Sequence, residues 1–190
     1  MIMQTRSSSP YIKIILLALS VAIGGGIAHY YFKAPETGGL VNYNPKQDVA
    51  DVVKLFHNDW YWLSNREWDQ NRLIETFAHN KPNEYEPKYF GKMPIEVLRE
   101  NGVLVGVVTY YMKNFYEGAV LFLAINPEFR GKRYGEKLLN YAIDQLKKQG
   151  AKIITLACRV DNERGIKLYT RNGFKNMYVD NGFIHFQRDA

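Results

Sequence analysis

The chain has 190 residues, a formal net charge of +6, and 46% hydrophobic and 14% aromatic residues. That supports one ordinary domain plus a short appendage and excludes a disordered chain. The basic surplus suits an anionic ligand or surface, but no Lys/Arg block is dense enough for nucleic acid, and the single cysteine, Cys158, excludes an internal disulfide.

A polar tail, residues 1–10, precedes an apolar stretch at 11–32. Ile14 to Phe32 carries 19 residues without a charge. At ~1.5 Å per residue that is roughly 28 Å, close to the thickness of a bilayer core. Tyr30, Tyr31 and Phe32, followed by Lys33, form an interfacial edge. A single-pass anchor is expected here. A cleaved signal peptide is the rival reading, with Arg6 and Lys13 as its basic region and Gly26-Ile27-Ala28 as the cleavage site. Residues 33–39 read as a linker and 40–190 as the folded domain.

Leu40–Tyr43 reads as a short strand. Asn44-Pro45 starts a helix, with Asn44 as N-cap and Gln47 placed for a capping box. Val49, Val52, Val53 and Phe56 recur at helical spacing. An aromatic run, HNDWYWLSNREW, then leads to a second helix over Asp69–His79; the run belongs either to the core or to a substrate groove. Ile95–Arg99 and Val103–Tyr111 flank Glu100-Asn101-Gly102, a strong hairpin signal.

Gly118–Ile125 is apolar on both faces and should be a central strand. Tyr134–Gly150 is a helix with Leu138, Leu139, Ala142 and Leu146 as its buried stripe. Lys152–Cys158 is a buried strand, in which Cys158 reads as core packing. Asn162–Arg171 is a helix, and Phe174–Val179 pairs with Phe183–Arg188 across Asp180-Asn181-Gly182. The sum is an α+β fold, a mixed sheet with helices on both faces. The four histidines lack ligand-like spacing, so no metal is expected.

The chemistry concentrates in NPEFRGKRYGEKLLN, residues 126–140. A strand, a tight turn at Arg130-Gly131 and a helix starting near Tyr134 aim free N–H groups at one point. The helix dipole adds positive charge there, which makes a phosphate site. Neither the Walker pattern nor GxGxxG is present.

This segment resembles the pyrophosphate-binding motif, Q/R-x-x-G-x-G/A, of the GNAT acyltransferase superfamily. Asn162 to Phe174, NERGIKLYTRNGF, is similar to that family's N-x-x-A-x-x-L-Y-x-x-x-G-F segment, and the resemblance covers about Leu40 to Arg188. It implies a GNAT-like fold and direct transfer of acetyl from acetyl-CoA, as co-substrate, to an amine acceptor. By the same resemblance, main-chain groups of Leu123, Ala124 and Ile125 run along the pantetheine arm. The N–H groups from Arg130 through Gly131, Lys132, Arg133 and Tyr134 to Gly135 hold the pyrophosphate. Asn162 contacts the cofactor, and Tyr169 faces the sulfur. A phenol can protonate the departing thiolate. For Tyr169 a packing role, and for Asn162 a helix cap, are the alternatives.

The pattern is broken in two places. Arg133 stands where the family has glycine, which implies a strained backbone but the same N–H donor. The family's catalytic carboxylates are absent: Ala157 and Ala119 occupy their positions, and only Glu117, at a strand edge, is left as a candidate base. A catalytically weak acyl-CoA sensor is therefore a second reading, and a nucleic-acid or lipid-headgroup binder a third. Charges flanking the apolar stretch nearly balance. Cofactor supply favours a cytoplasmic catalytic face on a membrane-anchored protein, with extracytoplasmic placement after signal cleavage as the alternative.

Overall fold

Seven strands form one mixed sheet in the order β1-β2-β3-β4-β5-β7-β6. They are β1 Leu40–Asn42, β2 Ile95–Glu100, β3 Val103–Met112, β4 Glu117–Ile125, β5 Ile153–Arg159, β6 Lys175–Asp180 and β7 Phe183–Asp189. All neighbours pair antiparallel except β4 and β5, which are parallel. The computed structural model describes residues 39–64, 66–79 and 93–190. The tail 1–10, the apolar stretch 11–32 and most of the linker 33–39 lie outside the described residues. Among the described residues, no helix is long and apolar enough to cross a membrane.

Among the described residues there are four helices, α1 Pro45–Leu63, α2 Gln70–His79, α3 Tyr134–Lys148 and α4 Glu163–Arg171. The alternating pleat gives β2, β3 and β4 two apolar faces. One face packs Ile95, Val97, Leu104, Val107, Phe122 and Ala124 against Val52, Leu55 and Phe56 of α1. The other packs Leu98, Val105, Val108 and Val120 against Leu138, Leu139, Ala142 and Leu146 of α3. Burial on both sides explains why the β4 run AVLFLAI shows no polar alternation.

Asn44 caps α1, its Oδ1 accepting from Lys46 N at 3.1 Å. The reciprocal bond comes from Asp48, not Gln47: Asp48 Oδ2 accepts from Asn44 N at 2.7 Å. Asp48 is buried and also accepts from Arg99 of β2, at 2.6 Å from Nη2 and 3.1 Å from Nε. A buried carboxylate needs such partners, and this pair fixes α1 to the sheet. The helix runs on to Leu63, so the first half of the aromatic run is helical. Trp60 stacks edge-on with Trp68 and donates Nε1–H to Arg66 O at 2.7 Å. Tyr61 and Trp62 stay exposed at 52% and 40%. The run therefore divides between packing and open surface.

Both two-residue hairpin turns lie in the left-handed region, Asn101-Gly102 at φ 50° and 80° and Asn181-Gly182 at 47° and 77°. Asn and Gly are the residues that tolerate it.

Candidate functional site

A slip in one strand opens the site. β4 and β5 pair only at Glu117↔Ile153, Gly118↔Ile154 and Ala119↔Thr155. Just beyond, the β3–β4 register jumps from Tyr110↔Val120 to Thr109↔Phe122, leaving Leu121 unmatched. A bulge of this kind bends its strand. β4 then turns away with β3, while β5 continues in register with β7. Between the diverging strands lies a cavity of about 800 Å³.

The inner edge of β4 is open to that cavity. Phe122 N–H donates to Thr109 Oγ1 at 3.0 Å and Asn126 N–H to Val105 O at 2.9 Å, both toward β3. Alternation along the strand therefore directs the N–H and C=O of Leu123 and Ile125 the other way. Ile125 C=O accepts from Arg130 Nε at 3.0 Å. The N–H and C=O of Leu123 have no strand partner among the described residues, so they offer an amide-bearing ligand the pairing β5 has withdrawn.

At the end of β4, a single 3₁₀ turn, Pro127–Phe129, leads to α3. Gly131 has φ 82°, and Arg133, the N-cap residue, has φ 64° and ψ 12°. Arg133 gives α3 no side-chain cap, and the first helical bond is Lys137 N to Arg133 O at 3.1 Å. The N–H groups of Tyr134, Gly135 and Glu136 thus lack helical acceptors. At Gly135 a methyl group would meet Leu168 at 3.5 Å and Ile125 at 3.7 Å, ordinary contacts. Packing within the protein does not require a glycine there. Free edge amides, an uncapped helix start and an unfilled cradle together fit a diphosphate that carries an amide chain.

The cations divide into used and free. Arg130, which lines the cavity, donates from Nη2 to Asp59 of α1 at 2.7 and 2.5 Å, so its guanidinium braces α1 against the turn. Lys132 leans over the Phe129 ring at 5.2 Å and does not line the cavity. Arg133 and Arg164 are exposed, line the cavity, and have no ion-pair partner among the described residues.

Opposite the turn, α4 begins at Asn162, whose Oδ1 accepts from Gly165 N at 2.9 Å. Asn162 therefore caps the helix while lining the cavity. Gly165 replaces the alanine of the similar motif because the space is taken: a methyl group there would lie 2.7 Å from Cys158 Sγ. Cys158 is buried, and that burial, with Asp161 nearby, pushes its thiol up to about 12. Tyr169 lines the cavity, with its ring against Phe174 and Phe186 at 6.1 and 5.8 Å. Burial first, then Cys158, raises its pKa well above the ordinary 10. Its hydroxyl has no hydrogen-bond partner among the described residues.

Glu117 is not brought into this group. It lies where β4 and β5 are still paired, does not line the cavity, and is bonded to Lys113 Nζ at 2.8 Å and Thr155 Oγ1 at 3.1 Å. The carboxylates that do line the cavity are also engaged: Asp59 by Arg130, Glu136 by Arg171, Asp161 by Tyr61 and Glu163 by Lys167. Asp59, Trp62 and Arg164 are site residues that no motif marks. Arg159 of β5, which does not line the cavity, donates to Tyr61 O and, at 3.0 Å, to Ser64 O at the C-terminal end of α1. Cationic donors suit those orphan carbonyls.

A bent central strand and the helix start that follows it define a fold built to hold an anionic, amide-bearing ligand between two parting strands. Residues 51–174 match the model of the Acetyltransferase (GNAT) family, and the chain belongs to that family. It is 38% identical over 150 residues to an uncharacterized N-acetyltransferase of Methanocaldococcus jannaschii, a match spanning 73% of this chain and 62% of that protein. It is 40% identical over 128 residues to N-alpha-acetyltransferase 30 of Schizosaccharomyces pombe, spanning 67% of this chain and 78% of that one. The chain thus spans less than two thirds of the archaeal relative. Among solved structures, Ard1 from Thermoplasma volcanium superposes with a TM-score of 0.63 at 20% identity, over 82% of this chain and 99% of that one. An N-acetyltransferase from Thermoplasma acidophilum in complex with coenzyme A gives 0.61 at 17%, over 82% and 100%. These two establish the fold.

Proposed function

We propose that the protein is an acetyl-CoA-dependent N-acetyltransferase that passes acetyl directly to an amine. The observation that carries this reading is the convergence on one cavity of the open Leu123 edge, the uncapped start of α3 and the unbonded Tyr169 hydroxyl. The N–H groups from Gly131 to Gly135 hold the pyrophosphate, with Arg133 folded over it. The main chain of Leu123, flanked by Ala124 and Ile125, pairs with the pantetheine amides. Tyr169 gives its proton to the departing thiolate and is regenerated from the attacking amine. A phenol of raised pKa remains protonated for this step at any physiological pH.

The name of the fission-yeast relative supports an α-amino acceptor. Such an amine, with pKa ~7.7–8.0, is partly neutral where a lysine, at ~10.4, is not. Residues 11–32 would serve as a single-pass anchor that holds domain 40–190 on the cytoplasmic side. A reporter fused after Ala190 tests this, and an extracytoplasmic signal would reverse it.

A second reading, an acyl-CoA sensor without turnover, draws on the engagement of every carboxylate lining the cavity. Calorimetric titration of the full chain with coenzyme A, followed by thiol release from acetyl-CoA with a panel of amines, separates the readings. An enzyme binds and releases thiol; a sensor binds only. Tyr169→Phe should bind coenzyme A as the parent does and turn over about 10²-fold more slowly. No affinity for coenzyme A would end both readings.

A further inference from the structure

Direct attack needs a neutral amine, and the site as described holds no free carboxylate to produce one. Asp59, Glu136, Asp161 and Glu163 are bonded to Arg130, Arg171, Tyr61 and Lys167, and Glu117 is paired with Lys113 outside the cavity. Tyr169 is an acid whose raised pKa makes it useless as a base at neutral pH. The sheet supplies a different group. In the β5–β7 ladder, Ala157 lies directly across from His185. Ala157 lines the cavity and is exposed. Residues directly opposite share a face, with Cβ atoms about 4.5–5.5 Å apart. Ala157 presents only a methyl group beside His185, which itself does not line the cavity, so a relay has to bridge the two.

The face is the correct one. Leu156 and Cys158 of β5 and Ile184 and Phe186 of β7 point into the core on the α3 and α4 side. Alternation puts Thr155, Ala157, Arg159, Phe183, His185 and Gln187 on the other side, toward the exposed Tyr61 and Trp62 at the end of α1. His185 is half-buried, and its ring stacks on Tyr178 of β6 at 4.4 Å with 13° between planes. That stack fixes the ring plane. The charged groups on this face are Arg159 on β5, which is held by Tyr61 O and Ser64 O, Asp189 on β7, Lys175 and Asp180 on β6, and Glu117 bonded to Thr155. Tyr61 and Tyr178 are its other titratable groups. Histidine is the side chain whose charge changes between about pH 5 and 8.

We propose that His185 is the proton acceptor of the transfer, acting through a water seated over the Ala157 methyl. This rests on the acetyltransferase reading of the same cavity. The acceptor enters as an ammonium ion and loses one proton through the water to the imidazole, which releases it to solvent. The neutral nitrogen forms the C–N bond to the thioester carbonyl carbon. As the C–S bond breaks, the sulfur keeps its electron pair and takes the Tyr169 proton, and the second amine proton returns to Tyr169. The products are an amide, a thiol and one proton.

The test compares the full-chain parent, His185→Gln, Glu117→Gln and His185→Gln with Ala157→Glu. Each is assayed by thiol release over pH 6–9.5 with an alkylamine and with a hydrazide that is already neutral at pH 6. Calorimetry with coenzyme A runs alongside. If the parent fails to bind coenzyme A or release thiol, the acetyltransferase reading itself falls. Given an active parent, His185→Gln should bind coenzyme A normally and lose 10²-fold or more with the alkylamine at pH 7. Its acidic limb with the alkylamine should shift upward toward the amine's own ionisation, while it stays near parental rate with the hydrazide and regains alkylamine activity when Ala157→Glu supplies a carboxylate at the cavity wall. An unchanged pH profile in His185→Gln, equal losses with both acceptors, or the whole base effect appearing in Glu117→Gln would overturn the assignment.

Discussion

Arg133→Gly separates two properties that one residue combines. Arg133 occupies the left-handed region at φ 64°, where an L side chain costs about 1–2 kcal/mol. Glycine removes that strain but adds roughly 0.5–1 kcal/mol of unfolded-state freedom. The balance is a gain between about 0 and 1.5 kcal/mol, equivalent to no more than about 6 °C in Tm for a chain of this size. Binding should move the other way. A guanidinium–phosphate bond contributes about 1.5–3 kcal/mol, and the lower end applies because Arg133 is exposed. Coenzyme A should therefore bind about tenfold more weakly, with a difference that narrows as salt rises. Arg133→Ala is the control: it keeps the strained backbone and loses the charge, so it should match the parent in Tm and Arg133→Gly in affinity. Thermal unfolding and calorimetry in parallel decide. Parental affinity in Arg133→Gly would refute the folded-over arginine, and a Tm below that of Arg133→Ala would refute the strain argument.

Other outcomes follow from the contact between α4 and β5. Gly165→Ala places a methyl group 2.7 Å from Cys158 Sγ and 3.0 Å from Asn162 Nδ2, so it should cost about 1–3 kcal/mol in denaturant unfolding. Adding Cys158→Ala should recover more than about 1 kcal/mol of that loss, and simple additivity would show that the sulfur is not the obstacle. The folded Cys158 thiol keeps its proton to about 12, whereas the unfolded thiol ionises near 9.0. Its contribution is complete below pH 9.0 and is lost as pH climbs toward about 12. Between pH 8.5 and 10, Tm should fall more steeply in the parent than in Cys158→Ala; equal slopes would remove the thiol from the account. Tyr169, also raised, adds to the fall only above pH 10.

Most elements could be read from local chemistry. Asn44 and Asn162 as caps, Asn101-Gly102 and Asn181-Gly182 as turns, and Leu138, Leu139, Ala142 and Leu146 as a buried stripe are short-range facts. The bulge at Leu121 could not be read that way. A one-residue slip exchanges faces, and only a polar residue appearing on an apolar face would betray it. In AVLFLAI both faces are apolar, so the event that parts β4 from β5 leaves no trace in hydropathy. Helix α1 likewise runs seven residues into the aromatic run expected between the helices, because Phe56, Asp59 and Leu63 keep the helical stripe going.

The same contrast divides the site. On the acetyltransferase reading a diphosphate would be gripped by the main chain of consecutive residues, Gly131 to Gly135, so that half of the site keeps a linear motif even where arginine replaces glycine. The half proposed to meet the acceptor has no such continuity. Tyr61 and Trp62 come from the end of α1, Ala157 from β5 and His185 from β7, and they are neighbours only because Arg159 bonds α1 and the β5–β7 register pairs Ala157 with His185. Pairings of that kind can exchange partners across strands without altering any linear pattern. A base moved from β5 to β7 would keep its place in space while vanishing from the motif, which is why an empty motif position at Ala157 does not by itself mean an empty function.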